Sequence, residues 1–257
     1  VRQIRFSEKQ SSSMVWNMRR INENEIWIGT QSGLFVYNIK DEKAVEWNHP
    51  DMPKGMRNSP ITTQFVDSKG RVWMGIGASN GLVVYNPKTD VLDSYSFDKN
   101  KFLLRSVTGI AEDKNGNVWL GNQTGGGLIK WNRKTKTFTK LNINTESKFI
   151  TDFIEDLMID ADNELWIATR SGLYNYSIEK NQFKRYSTKN GLLSNYITGL
   201  CEDKNKNIWV ATTKGVNVLE NDGERIWDYT KKKGIPGTEV VTIKRWDGNS
   251  LFIGASK

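Results

Sequence analysis

Cysteine and histidine each occur once in this 257-residue chain, as Cys201 and His49. A lone cysteine excludes an internal disulfide, and a lone histidine excludes an HExxH site or any histidine-rich zinc centre. No metal and no other cofactor is expected. A Ser-His-Asp relay would have to use His49, which lies in "WNHPDMPKG", and a GxSxG elbow is absent. His49 is therefore read as an exposed loop residue, and Cys201, inside a strand-like run, as a buried inert thiol. No run of 18 apolar residues is long enough to span a membrane, and no charged-then-apolar leader opens the chain. Helical periodicity is missing too: nowhere does an i, i+3, i+4, i+7 apolar stripe extend far enough for paired helices.

What is present is ordinary for a globular protein, with 37% hydrophobic and 11% aromatic residues. The net charge of +8 would suit a polyanion, but the 37 basic residues are spread along the chain. The densest clusters are Lys231, Lys232 and Lys233, and "RKTKTFTK" from Arg133. Scattered lysine describes a solvated surface, so neither a nucleic-acid partner nor membrane contact is expected of this segment.

The dominant feature is repetition. Trp27, Trp73, Trp119, Trp166 and Trp209 mark equivalent positions, with Phe252 in the sixth, at separations of 46, 46, 47, 43 and 43 residues. Each unit holds short β-branched and aromatic runs between turn residues, such as "ITGLCED", "NIWVAT", "GVNVLE" and "RIWDYT" from Ile197. Four short antiparallel strands per unit at this period describe the blades of an all-β propeller. The turn before each tryptophan reads "DKNGN" or "DSKGR": Asp accepts from turn amides, and Gly supplies positive φ. Asn163 stands in for Gly in "DADNE", whereas Lys206 in "DKNKN" fits less well. About six repeats are present, and residues 1–257 read as a single propeller segment. It is expected to be truncated at both ends relative to a parent with a seven-bladed or double propeller.

Repetition also filters function, because a residue found in every blade is scaffold. The acidic pairs Glu112-Asp113, Glu155-Asp156 and Glu202-Asp203 are read as structural on that ground. "DADNE" from Asp160 resembles the start of a calcium loop, but Ser171 occupies the twelfth position, so it is a turn. No catalytic residue is assigned. Departures from the repeat are the long link Asn48–Pro60 and the lengthened turns Gly75–Asn80 and Gly121–Gly126. These loops, at one mouth of a central channel, are the expected seat of binding. The candidate ligand-binding residues are Trp16, Asn17, Arg57, Asn58, Arg105, Gln123, Arg170, Asn195, Tyr196 and Lys214. Aromatic planes beside Asn, Gln and Arg suit sugar rings, and the cations favour acidic ones.

The stretch "NGLLSNYITGLCEDKNKNIWVATTKGVNVLE" from Asn190 resembles the two-component regulator propeller repeat. "GNVWLGNQTGGGLIKWNRKTKTF" from Gly116 resembles its longer-turn variant. The resemblance implies the periplasmic sensor of a hybrid histidine kinase, anchored in the inner membrane by other parts of its parent. Such a module senses glycan-derived oligosaccharides and signals without being an enzyme itself, and a homodimer could form through the parent chain. Two alternatives stay open: a propeller lyase or glycan-cleaving enzyme, and a protein-interaction platform.

Overall fold

The computed structural model describes residues 14–77, 81–95, 104, 106–123, 127–141, 153–220, 223–230, 235, 239–245 and 250–256. They form five four-stranded antiparallel sheets and one two-stranded sheet, each a meander in chain order. The first comprises β1 (Val15–Arg20), β2 (Glu25–Thr30), β3 (Gly33–Asn38) and β4 (Lys43–Glu46). The second holds β5 (Ile61–Val66), β6 (Val72–Ile76), β7 (Gly81–Asn86) and β8 (Val91–Tyr95). The third holds β9 (Val107–Glu112), β10 (Val118–Asn122), β11 (Leu128–Trp131) and β12 (Phe138–Lys140). The fourth holds β13 (Ile154–Ile159), β14 (Glu164–Thr169), β15 (Gly172–Ser177) and β16 (Gln182–Tyr186). The fifth holds β17 (Ile197–Glu202), β18 (Ile208–Thr212), β19 (Gly215–Glu220) and β20 (Arg225–Asp228). β21 (Val240–Arg245) and β22 (Leu251–Ala255) make the sixth.

The first strand of each sheet packs beside the first strand of the next, so these strands line a common centre. The cores lie between sheets. Trp73 packs with Val107, Ile110 and Leu120 of the third sheet, Trp119 with Leu157 and Ile167 of the fourth, and Trp166 with Leu200 and Val210 of the fifth. Both faces of a middle strand are therefore covered, which is why β6 and β10 are apolar without alternation. Radial sheets joined in this way are the blades of a β-propeller.

The first hairpin of four blades is built on one carboxylate. Asp113 Oδ1 accepts from the amides of Asn115 (2.9 Å) and Asn117 (3.0 Å), and Oδ2 accepts from the indole N–H of Trp119 (3.0 Å). Asp67, Asp160 and Asp203 do the same for Trp73, Trp166 and Trp209. The residue three beyond the Asp takes positive φ: Gly70, Gly116, Asn163 (65°) and Lys206 (64°). Lys206 tolerates this conformation with a gain elsewhere, since its Nζ reaches Asp162 of the preceding blade at 2.7 Å.

Neighbouring first strands are also stitched by their second residues. Thr62 Oγ1 donates to Val107 O, Thr108 to Ile154 O and Thr198 to Val240 O, each at 2.5 Å. Glu155 holds the equivalent place in β13 and Asp156 the next. Glu112 and Glu202 end their strands instead and accept from turn amides of the preceding blade, Ser68 (2.6 Å) and Ala161 (3.0 Å). Grouping all three acidic pairs as repeated scaffold is thus corrected: Glu155-Asp156 interrupts the repeat.

The expectation that His49 is exposed also fails. It is 6% exposed and lies against the rings of Trp47 and Tyr85, with Nδ1 accepting from the Asp51 amide at 3.1 Å. The link between β4 and β5 folds back over the junction of blades one and two, burying Met52 and Met56 in the core and carrying His49 inward. Cys201 is buried as expected, and burial raises its thiol pKa. Among the described residues no helix is long and apolar enough to cross a membrane.

Candidate functional site

One end of the propeller is defined by a bond repeated in all six blades. The amide just past each second strand donates to the carbonyl just before the first strand: Gln31 to Met14, Gly77 to Pro60, Gln123 to Ser106, Arg170 to Phe153, Thr213 to Tyr196 and Ser256 to Glu239. This end carries the second-hairpin turns and the blade-to-blade links together, so the candidate loop residues lie on a common face.

The structure draws three of those residues into one cluster. Glu155 accepts from Arg170 Nε at 2.5 Å, from Tyr196 Oη at 3.3 Å and from Gln123 Nε2 at 3.4 Å. The Arg170 guanidinium also lies over the rings of Phe153 (4.6 Å) and Tyr196 (5.1 Å). The hydrogen bond to Glu155 raises the Arg170 pKa, and burial, followed by the Glu155 charge, raises that of Tyr196. Arg170 is thus a cation and Tyr196 a neutral donor at neutral pH. The unit is an ion pair sandwiched by aromatic rings, with Phe153 39% exposed.

The other candidates are dispersed. Arg57 donates to Met52 O and Pro50 O and so ties its own link, and Asn58 beside it is exposed. Asn195 Oδ1 accepts from the Thr188 amide and holds a turn. Lys214 is exposed at the tip of the β18–β19 hairpin. Arg105 lies outside the described residues. Trp16 and Asn17 belong to β1 rather than to a loop, with Trp16 49% exposed.

Asn17 leads to the second feature, the central channel. First strands of blades one, two, three, four and six bound a cavity of about 680 Å³. Its wall includes Asn17, Arg19, Gln64, Glu112, Asp156 and Lys244. Asp156 Oδ2 accepts from the Leu200 amide and from Lys244 Nζ, both at 3.1 Å, so this carboxylate is already neutralised. Gln64 is 8% exposed, and neither its Nε2 nor its Oε1 has a partner. Glu155, Arg19, Gln64 and Lys244 were all missed by sequence reasoning. The signal was available: aligning first strands places Gln64 with Ile110, Leu157, Leu200 and Ile243. Among the described residues no group of three or more His, Cys, Asp or Glu is placed to hold a metal ion.

Comparison with known proteins agrees with this architecture. A family model described as two component regulator propeller matches residues 102–124 and 191–214. Two of the repeats, those holding Trp119 and Trp209, therefore match the two-component regulator propeller model. A histidine kinase (P4) of Formosa agariphila is 29% identical over 183 residues, 70% of this chain and 13% of that protein. The extracellular domain of a putative one component system from B. thetaiotaomicron superposes with a TM-score of 0.79 at 19% identity, over 96% of this chain and 32% of that one. Virginiamycin B lyase from Staphylococcus aureus gives 0.76 at 15% identity, over 98% and 81%. At these identities the solved structures speak for the fold. The chain spans about an eighth of that histidine kinase and a third of the B. thetaiotaomicron chain.

Proposed function

We propose that this segment is an extracytoplasmic, non-enzymatic sensor module of a hybrid two-component histidine kinase. It binds glycan-derived oligosaccharides, acidic ones among them, and its occupancy is passed across the inner membrane by the rest of the parent chain, which can also pair as a homodimer. The observation that carries this reading is the regulator-propeller repeat itself, matched in two blades and repeated around the ring. The histidine kinase relative and the extracellular domain among the structural neighbours support the same setting. The rim adds what a sugar sensor needs: an aromatic-flanked Arg170–Glu155 pair, with donors from Tyr196 and Gln123, in the blade that departs from the repeat. Exposed rings stack on sugar faces, and planar polar groups read hydroxyls.

Calorimetric titration of neutral and acidic oligosaccharides into this segment and into the longer parent tests the reading. Binding by the segment, weakened by Arg170→Ala, is expected. Binding by the parent alone would reduce the segment to scaffold. The lyase alternative draws on a fold likeness, and the single histidine is packed between Trp47 and Tyr85 rather than in the channel wall. Turnover of a cyclic peptide or glycan that His49→Ala abolishes would reinstate it.

A further inference from the structure

Blade four spends a scaffold position on a carboxylate. At the second place of the first strand, blades two, three and five carry Thr62, Thr108 and Thr198, each bonded to the next first strand. An ionised Glu155 cannot donate that bond. Nor does it close a buried network in exchange, because the side chain of its partner Arg170 is 41% exposed, and such a pair adds little to stability. Phe153, 4.6 Å from the guanidinium, is itself 39% exposed. The pair is thus open to a ligand, while its cost to the repeat has no return in stability.

The chemistry the pair offers can be read atom by atom. Arg170 commits its Nε–H to Glu155 Oε1 and keeps terminal N–H donors on its fork. Oε1 is shared between Arg170 and Tyr196, whereas Oε2 meets only the long 3.4 Å contact from Gln123 among the described residues and retains acceptor capacity. Donors and an acceptor side by side, flanked by ring faces, suit two neighbouring hydroxyls, one accepting from the guanidinium and one donating to the carboxylate. A ligand carboxylate can only accept. It would compete with Glu155 for the same donors and stand beside a second negative charge, with the Arg170 cation already neutralised. Alone, Arg170 would favour an acidic sugar; paired, it does not. We propose that Glu155 is a specificity-determining residue, which makes the rim a subsite for a neutral pyranose presenting adjacent hydroxyls and turns a uronate unit away. The inference deepens the sensing reading and rests on it. An acidic oligosaccharide is then held by a neutral unit at the rim, with its carboxylates clear of Glu155.

The test titrates the chain with β-linked mannotriose and cellotriose, each against the trimer of the same linkage whose primary alcohols are oxidised to carboxylates. Wild type binds at least one neutral trimer more tightly than its acidic counterpart. Glu155→Gln keeps an acceptor for the Arg170 Nε–H but carries no charge. It strengthens binding of the acidic trimer by about tenfold, as for removal of a like charge at close range, and changes neutral binding by less than about threefold. Glu155→Thr, the residue type of three other blades, removes the charge and the hold on Arg170 together. Neutral binding falls, the preference over the acidic trimer falls with it, and this variant carries the test if Glu155→Gln does not fold. A Glu155→Gln chain that binds the neutral trimer as before and still rejects the acidic one overturns the role of Glu155 while leaving sugar sensing intact. Wild type preferring the acidic trimer does the same. Equal loss of both trimers in Glu155→Gln overturns selection by charge and makes Glu155 a support for Arg170 alone. Wild type and variants that bind no trimer overturn the rim subsite together with the sensing reading of this segment.

Discussion

Trp73 donates its indole N–H to Asp67 Oδ2 at 2.8 Å, whereas Trp27, the equivalent indole one blade earlier, is buried with no acceptor for its Nε1. The difference lies six residues upstream, where Ile21 replaces the aspartate. Both rings are almost fully buried, at 1% and 3% exposure, so Trp→Phe removes similar area from each. Only at Trp73 does it also strip a donor from a buried carboxylate. Trp73→Phe should therefore cost about 1–2 kcal/mol more than Trp27→Phe in denaturant unfolding. Equal costs would show that the indole bond contributes nothing net.

The same carboxylates set the response to acid. Burial works against the charge of Asp67, but hydrogen bonds from Trp73 and Arg71 and the Arg71 cation outweigh it and hold the pKa below the usual range. Asp203 is lowered likewise, with Trp209 and Asn207 overcoming burial. A depressed folded pKa gives stability that is present above the unfolded value near about 4 and is lost as pH falls through the folded one. Glu202 has the opposite sign. Burial raises its pKa, so its contribution is present at low pH and is lost as pH rises through the raised value. Melting temperatures between pH 2 and pH 7 should show a shallower acid limb for Asp67→Asn. Glu202→Gln should gain on wild type as pH rises from 4 to 7. A parallel shift at every pH would contradict both assignments.

Glu155 sits where three other blades place a threonine that bonds to the next first strand. Glu155→Thr should regain such a bond, to Ile197 O, and give up an ion pair whose arginine is 41% exposed and so worth little. Stability is expected to hold or to rise by up to about 1 kcal/mol, while any oligosaccharide response that depends on Arg170 falls. A loss of stability, read by thermal unfolding, would instead make the pair a structural clamp.

Much of this architecture was legible because its determinants are local and repeated. The Asp, the positive-φ residue and the tryptophan fall within seven residues of one another in four of the five four-stranded sheets, and the first sheet keeps the tryptophan without the Asp. What escaped sequence reading depends on contacts between blades. Lys206 looked strained until Asp162 of the preceding blade appeared beside its ammonium group. His49 looked exposed because nothing local shows that its link folds over a sheet junction. At the candidate site, Gln123, Arg170 and Tyr196 were found from loop position, but Glu155, which gathers them, was set aside as scaffold. The acidic pairs look alike as dipeptides, and only strand register separates them.

Gly109 and Gly199 occupy the same third position in β9 and β17, yet the neighbouring strand stands at different distances. A Cβ on Gly109 would lie 2.7 Å from the main-chain nitrogen of Leu157 and 2.9 Å from its side chain. Backbone cannot swing aside, so Gly109→Ala must push β13 away from β9. Overpacking of this kind costs about 1–3 kcal/mol. At Gly199 the nearest atom, Ile243 N, is 3.4 Å away, an ordinary contact, and φ there is not positive. Gly199→Ala should then stabilise by about 0.4–1 kcal/mol, because alanine has less unfolded-state freedom to lose. The two substitutions are chemically identical and differ only in how closely the next blade approaches. Opposite signs in equilibrium unfolding would therefore measure the tighter fit of blade four on blade three relative to blade six on blade five. Equal losses at both positions would mean that the glycines serve some need other than strand approach.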